Sequence, residues 1–325
     1  MQLKRHIKQA MVGIGIMAAA MCHAKEAPFP SKAVTIVSPY GAGGSSDALV
    51  RSVADKLTKA WGQPVLIENR TGANGIIATQ TVMRAAPDGH TILLHLTGFI
   101  QNASLYKKLP YDPFKDLSPV TQVGFQAMGL AVAPSAPFES VTTLISALKA
   151  KPQDFSYGSF GTGSTGHIFG EVLKANQKLN IPHVAYRGEA PMLPDLISGR
   201  ITFGFVSAAT AVTRQKDKSL KILAVTGPKR LPMLPDVPTL GELGHADFDL
   251  VGWYGFFVPA NTPKQTIDKI AADVKAAIAH PDIQARMQEL TIEPKTTSPD
   301  EFSKILQSDF AKWDRLIKQV NIELE

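Results

Sequence analysis

Short apolar runs alternate along this chain with segments whose apolar residues recur at helical spacing, and that alternation leaves few folds open. Runs of four to eight such residues bounded by turns read as buried strands, and strands alternating with helices read as an α/β fold with mostly parallel sheets. The strand candidates are 33–38, 64–68, 91–96, 128–133, 155–158, 201–206, 220–226 and 251–258. A first helix is expected over 46–61, with Val50, Val53, Leu57 and Trp61 on one stripe and Ser45 or Ser46 as its cap. Two later helices are expected to open on capping boxes, Thr262-Pro263-Lys264-Gln265 and Ser298-Pro299-Asp300-Glu301. The 325 residues are enough for about two domains.

Residues 1–24 read as a cleavable export signal, cut after about Ala24. Lys4, Arg5 and Lys8 give a basic start, and the apolar stretch 10–22 is too short to cross a hydrocarbon layer of roughly 30 Å. Met21 stands where a lipoprotein would need a small residue before Cys22. Loss of this segment removes three cations, leaving 31 Lys+Arg against 28 Asp+Glu and a net charge of +3. No run of five basic residues survives, so a nucleic-acid partner has no electrostatic support. Cys22 is the only cysteine, so the mature chain has neither a disulfide nor a thiol ligand. With 44% apolar and 19% charged residues, a polytopic membrane protein and a disordered tail are both excluded.

Three glycine-bearing segments sit where a strand hands over to a helix: Tyr40-Gly41-Ala42-Gly43-Gly44-Ser45-Ser46-Asp47, Gly158-Ser159-Phe160-Gly161-Thr162-Gly163-Ser164, and Tyr186-Arg187-Gly188-Glu189. Strand, glycine loop, helix is the arrangement that offers unpaired main-chain N–H groups to an anion. Gly161-x-Gly163-x-x-Gly166 matches the dinucleotide fingerprint formally, but its strand is weak and no acidic residue on a strand end stands near the required offset. No Gly-x-Ser-x-Gly elbow and no phosphate-loop Gly-Lys-Ser/Thr occurs. Ser164 and His167, at i and i+3 on a helix start, read first as local capping; a hydrolytic pair is the alternative. The histidines show no metal spacing, so neither a metal nor a cofactor is expected.

The chain resembles the solute receptors of tripartite tricarboxylate transporters, the Bug-type periplasmic binding proteins. The residues that carry the likeness run in order from Pro39-Tyr40-Gly41-Ala42-Gly43-Gly44-Ser45-Ser46-Asp47 through Leu105-Tyr106-Lys107-Lys108-Leu109-Pro110-Tyr111-Asp112 and Tyr157-Gly158-Ser159 to Tyr186-Arg187-Gly188. Leu234-Pro235-Asp236-Val237-Pro238-Thr239, Trp253-Tyr254-Gly255 and Thr262-Pro263 complete them. The resemblance implies a two-lobed type II periplasmic-binding-protein fold with crossing strands as hinge. Lobe one would comprise 25–125 and 250–325, lobe two 126–249. It implies a monomeric, non-enzymatic periplasmic receptor that closes on a small carboxylate and serves membrane permease subunits, or alternatively a signalling protein.

The contacts it implies are Tyr40, Gly41, Ala42, Gly43, Gly44, Ser45, Thr97, Gly98, Phe99, Ser159, Phe160, Gly161, Thr162, Gly163, Ser164, Tyr186, Arg187, Gly188, Val206 and Ser207, with Asp47 and His167 structural beside them. Relatives often carry Thr-His where this chain has Gly98-Phe99, and Asp where Val206 stands. Phe99 and Val206 would make the pocket less polar, which suits an apolar or aromatic carboxylate of the phthalate type and disfavours amino acids.

Overall fold

A computed structural model describes residues 29–324; the expected export signal and Cys22 lie outside the described residues. The first sheet contains β1 (Val34–Ser38), β2 (Val65–Asn69), β3 (Thr91–Leu96), β4 (Leu117–Gln126), β10 (Gly252–Pro259) and β11 (Glu293–Pro294), in the order β11-β4-β10-β3-β1-β2. The second contains β5 (Met128–Val132), β6 (Tyr157–Ser159), β7 (His183–Ala185), β8 (Phe203–Ser207) and β9 (Lys221–Val225), in the order β7-β6-β8-β5-β9. Flanking them are α1 (Ser45–Trp61), α2 (Ile76–Met83), α3 (Gly98–Leu105), α4 (Val141–Ala150), α5 (Thr165–Gln177), α6 (Glu189–Ile197), α7 (Ala208–Lys216), α8 (Lys264–Ile278), α9 (Pro281–Glu289) and α10 (Pro299–Val320).

Both sheets are mixed, for a reason tied to the connection between them. The βαβ units give parallel pairs, β1 with β2 and β3, and β6 with β7 and β8. The antiparallel pairs involve the strands that carry the chain across: β10 against β3 and β4, and β5 against β8 and β9. Only Ala127 separates β4 from β5, so the first crossing is one extended segment, and the chain returns through residues 226–251 into β10. The two crossings bond to each other where they pass. Met128 N–H donates to Thr226 Oγ1 at 2.9 Å, and Thr226 N–H to the Met128 carbonyl at 2.8 Å.

Helical periodicity places the buried faces. Helix α1 covers its sheet with Leu49, Val50, Val53, Ala54 and Leu57, and α8 adds Ile270, Val274 and Ile278 to the same core. Each such aliphatic side chain contributes about 1.5–3 kcal/mol on burial. Helix α10 opens on the expected Ser298/Glu301 capping box and reaches both halves. Its Asp314 accepts from Ser104 Oγ of α3 at 2.8 Å, while Trp313 packs its ring 5.3 Å from Phe169 of α5.

Several local expectations need correction. Helix α1 has Gly44 as its N-cap with no side-chain cap, so neither Ser45 nor Ser46 plays that part. At α8 the N-cap is Pro263 and no box forms, because Thr262 Oγ1 turns back to the Pro259 carbonyl at 2.7 Å. Residues 98–105, where no helix was expected, form α3. Strand β4 was missed: Pro119 and Gly124 break its apolar run, and the pairing absorbs Pro119 at a register shift against β10. β7 and β11 are too short to leave a periodic signal.

Candidate functional site

The first glycine loop follows β1 directly and ends at the uncapped start of α1, so its first-turn amides have no side-chain acceptor. Gly43 turns at φ +87°, where a side chain would be strained, and Gly41, Ala42, Gly43 and Gly44 are all exposed. Asp47 braces this loop from behind. Its Oδ2 accepts from Gly43 N–H at 3.0 Å and Arg51 Nε at 2.9 Å, and its Oδ1 from Asn69 Nδ2 at 3.0 Å. Asn69 Nδ2 also holds the Tyr40 carbonyl at 2.8 Å. The bond from Arg51 comes first among the causes that hold the Asp47 carboxyl down at about 2. Arg51 is thereby engaged away from the loop's open side.

Beside it, Tyr40 Oη accepts from Leu96 N–H at 3.3 Å, and burial raises its phenol above the ordinary range. His95, fully buried, is lowered to about 4 by desolvation and keeps its Nε2 without a partner among the described residues. Thr97 Oγ1 accepts from Trp253 N–H at 2.9 Å, tying the start of α3 to the returning crossing strand. Gly98 lies against Asn74, whose amide bonds Asn102 Oδ1 at 2.7 Å.

In the second half, Gly161 (φ +144°) and Gly163 (φ +77°) shape the loop into α5. Ser164 caps that helix by accepting from His167 N–H at 3.3 Å, and His167 Nδ1 accepts from Gly163 N–H at 3.1 Å. Both side chains are thus used locally and make no Ser–His hydroxyl–imidazole pair, which removes the hydrolytic alternative's geometry. Ser159 is fully buried, its hydroxyl donating to the Gly161 carbonyl at 3.0 Å and lying 2.8 Å from His183 Nε2. Phe160 folds over Gly166, and Thr162 is exposed. The third loop abuts the second: Tyr186 N–H donates to the Ser159 carbonyl at 2.9 Å. Tyr186 Oη donates to Asp195 at 2.7 Å, Arg187 is exposed, and Gly188 turns at φ +115°.

Tyr254, in the returning crossing strand, ties the two crossings together. Its hydroxyl donates to Gln126 Oε1, on the outgoing crossing strand, at 3.0 Å. Burial pushes its phenol up to about 12, the Ser45 hydroxyl of the first loop opposes that by hydrogen bonding, and the Glu189 carboxylate of the third loop adds to it through its charge. A second link joins Thr165 Oγ1 of α5 to Gln101 Oε1 of α3 at 3.3 Å. Gly163 completes the approach, since a Cβ there would lie 2.7 Å from Leu324 and 3.4 Å from Leu105. A hollow of about 420 Å³ lined by Gln122, Trp253, Lys295, Lys304 and Lys312 contains none of these loop residues.

Two of the expected contacts stand in the core. Phe99 is fully buried, stacked at 5.6 Å on Tyr111 and tilted at 4.4 Å against Phe257, because it faces inward from α3. Val206 is equally buried, packing with Ala211, Leu220 and Ile222 on the inner face of β8. The residues that sequence reasoning missed are Tyr254, Gln126, Gln101, Asn69 and Glu189. Glu189 takes Ser207 N–H on Oε2 at 2.6 Å and Ser207 Oγ on Oε1 at 3.0 Å, with Thr210 Oγ1 also donating to Oε1. Its position in a glycine turn at a helix start was the available signal, and the spacing to Ser207 gave no hint of contact.

Two mixed sheets flanked by helices and joined by crossing strands define a type II periplasmic binding protein. Residues 49–322 match the family described as tripartite tricarboxylate transporter family receptor, and the chain belongs to that family. Its members are non-enzymatic periplasmic receptors of tripartite transporters. A curated relative from Pseudomonas sp. strain P51, the UPF0065 protein in the tcbD-tcbE intergenic region, is 32% identical over 295 residues, covering 90% of this chain and 88% of its own. The periplasmic binding protein BugD superposes with a TM-score of 0.82 at 30% identity, covering 91% of this chain and all of its own. R. palustris Rpa4515 with adipate gives 0.83 at 31% identity with the same coverage.

Proposed function

We propose that this protein receives a small organic carboxylate between its lobes, in the periplasm, and presents it to the membrane subunits of a tripartite transporter. The observation that carries the reading is the pair of glycine loops, one exposed at the uncapped start of α1 and one opening α5, in two halves linked where Thr165 of α5 meets Gln101 of α3. The lobes follow the sheets, with residues 126–249 forming the second and the flanking segments the first. The main-chain donors of Gly41, Ala42, Gly44 and Ser45 in the first loop and of Thr162 in the second, which take no other acceptor among the described residues, hold the anion, helped by the uncapped start of α1. Hydrogen bonds to a charged group contribute roughly 1.5–3 kcal/mol each, so four or five reach the roughly 8 kcal/mol of a micromolar complex only if closure also encloses the ligand body. The narrower phthalate-type expectation rested on Phe99 and Val206, and with both in the core nothing in the site favours an aromatic over an aliphatic body. The relative with adipate supports a carboxylate in general.

Thermal melts against aliphatic, hydroxylated, amino and aromatic acids test this. A ligand at 100 times its dissociation constant adds about 2.7 kcal/mol of stability, a shift of several degrees. Absence of any shift across the panel at millimolar acid would sink the reading.

A further inference from the structure

The start of α7 lies at the same sheet edge as the second and third glycine loops, since α5, α6 and α7 all open at the carboxyl ends of the parallel strands β6, β7 and β8, yet the chain already answers its donors with its own acid. Glu189 stands at the start of α6, eighteen residues before Ser207 in sequence, and takes the Ser207 amide at 2.6 Å, the Ser207 hydroxyl at 3.0 Å and the Thr210 hydroxyl. Ser207 is the N-cap of α7, so the carboxylate is seated on that helix end, where the helix dipole favours negative charge. Among the described residues no Lys, Arg or His lies within 4.0 Å of it. A carboxylate offers about four acceptor positions, and three are taken, which leaves about one for a further donor.

Resting on the receptor reading above, we infer that Glu189 is a specificity-determining residue. It makes the α7 side of the cleft an acceptor wall, so the ligand carries its carboxylate at the glycine loops and a hydrogen-bond donor, a hydroxyl or ammonium group, at the other end. A second carboxylate in that place meets like charge over a helix end that is already filled. An acid at this place was not expected from sequence, because Val206 stands where relatives carry Asp; Glu189 brings one in from a different element.

Calorimetric titration of matched acids tests this: ω-hydroxy, ω-amino and α,ω-dicarboxylic acids of four to six carbons, with 4-hydroxybenzoate and 4-aminobenzoate against terephthalate. The wild type is expected to bind the best donor-ended acid at least ~10-fold more tightly than the dicarboxylate of the same skeleton, since a hydrogen-bonding site discriminates strongly against an unpaired partner. Glu189→Gln, which keeps an acceptor for Ser207, and Glu189→Ala, each checked for an intact melt, should bring that ratio to within ~2-fold. Equal or tighter dicarboxylate binding by the wild type, or an unchanged ratio in both variants, overturns the inference while leaving the receptor reading intact. Failure of every carboxylate to bind the wild type overturns both.

Discussion

Exchanging Asp47 for asparagine tests how the first glycine loop is held. Asparagine has the shape of the protonated carboxyl, so the cost of Asp47→Asn follows from how strongly the fold prefers the ionised form. That preference is read from the carboxyl being held at about 2 instead of 3.8, a difference worth about 2 kcal/mol. The group is only 5% exposed, so solvent screening takes little from the figure, and its three bonds to Gly43, Arg51 and Asn69 are of the charge-assisted kind. Because the folded value is depressed, the stabilisation is complete above the unfolded value and is lost as pH falls through about 2. The gap between wild type and variant should therefore be about 2 kcal/mol at pH 7 and about half that at pH 3. Urea denaturation at the two pH values measures it, and a melt at pH 7 should fall by about 5 °C. A variant within 1 °C of wild type, or a gap that does not shrink at pH 3, would refute the account of the loop as braced by a buried charge.

Acid should also act through the histidines. His95 and His183 are each lowered to about 4, desolvation being the first cause in both. The unfolded chain then binds protons that the folded chain refuses, so stability is full above the ordinary histidine value of 6.5 and falls as pH drops from there towards about 4. Between pH 7 and pH 5 the loss should be about 2 kcal/mol for each, and His183→Gln should flatten the slope; a denaturation free energy flat over that window would contradict it. Gly170→Ala should destabilise by about 1–3 kcal/mol, because the added methyl would lie 2.0 Å from the Tyr157 ring, whose hydroxyl is pinned to Glu171 at 2.6 Å. An unchanged urea midpoint for that variant would show that the ring can move aside.

The first helix, the α10 capping box and the strands of the βαβ units other than β7 were legible because each is written in local periodicity or a contiguous cap. Strand β4 was not, since its place in the middle of the sheet is fixed by pairing with β10 more than a hundred residues away. The three glycine loops were also readable, each as a strand-to-helix turn. Phe99 and Val206 show the limit of that reading. Proximity in sequence to a loop places the backbone near the cleft, but helix and strand direction turned both side chains inward.

What the sequence determined by itself was an α/β chain with free main-chain donors at three strand ends, because glycine, capping residues and apolar period act over a few neighbours. Which groups those donors meet was decided only by the tertiary structure. The two crossings, bonded at Met128 and Thr226, bring Gln126 and Tyr254 to one point, with Ser45 of the first loop beside it. No local pattern encodes that meeting, since it depends on strand pairings closed over more than two hundred residues between Ser45 and Tyr254.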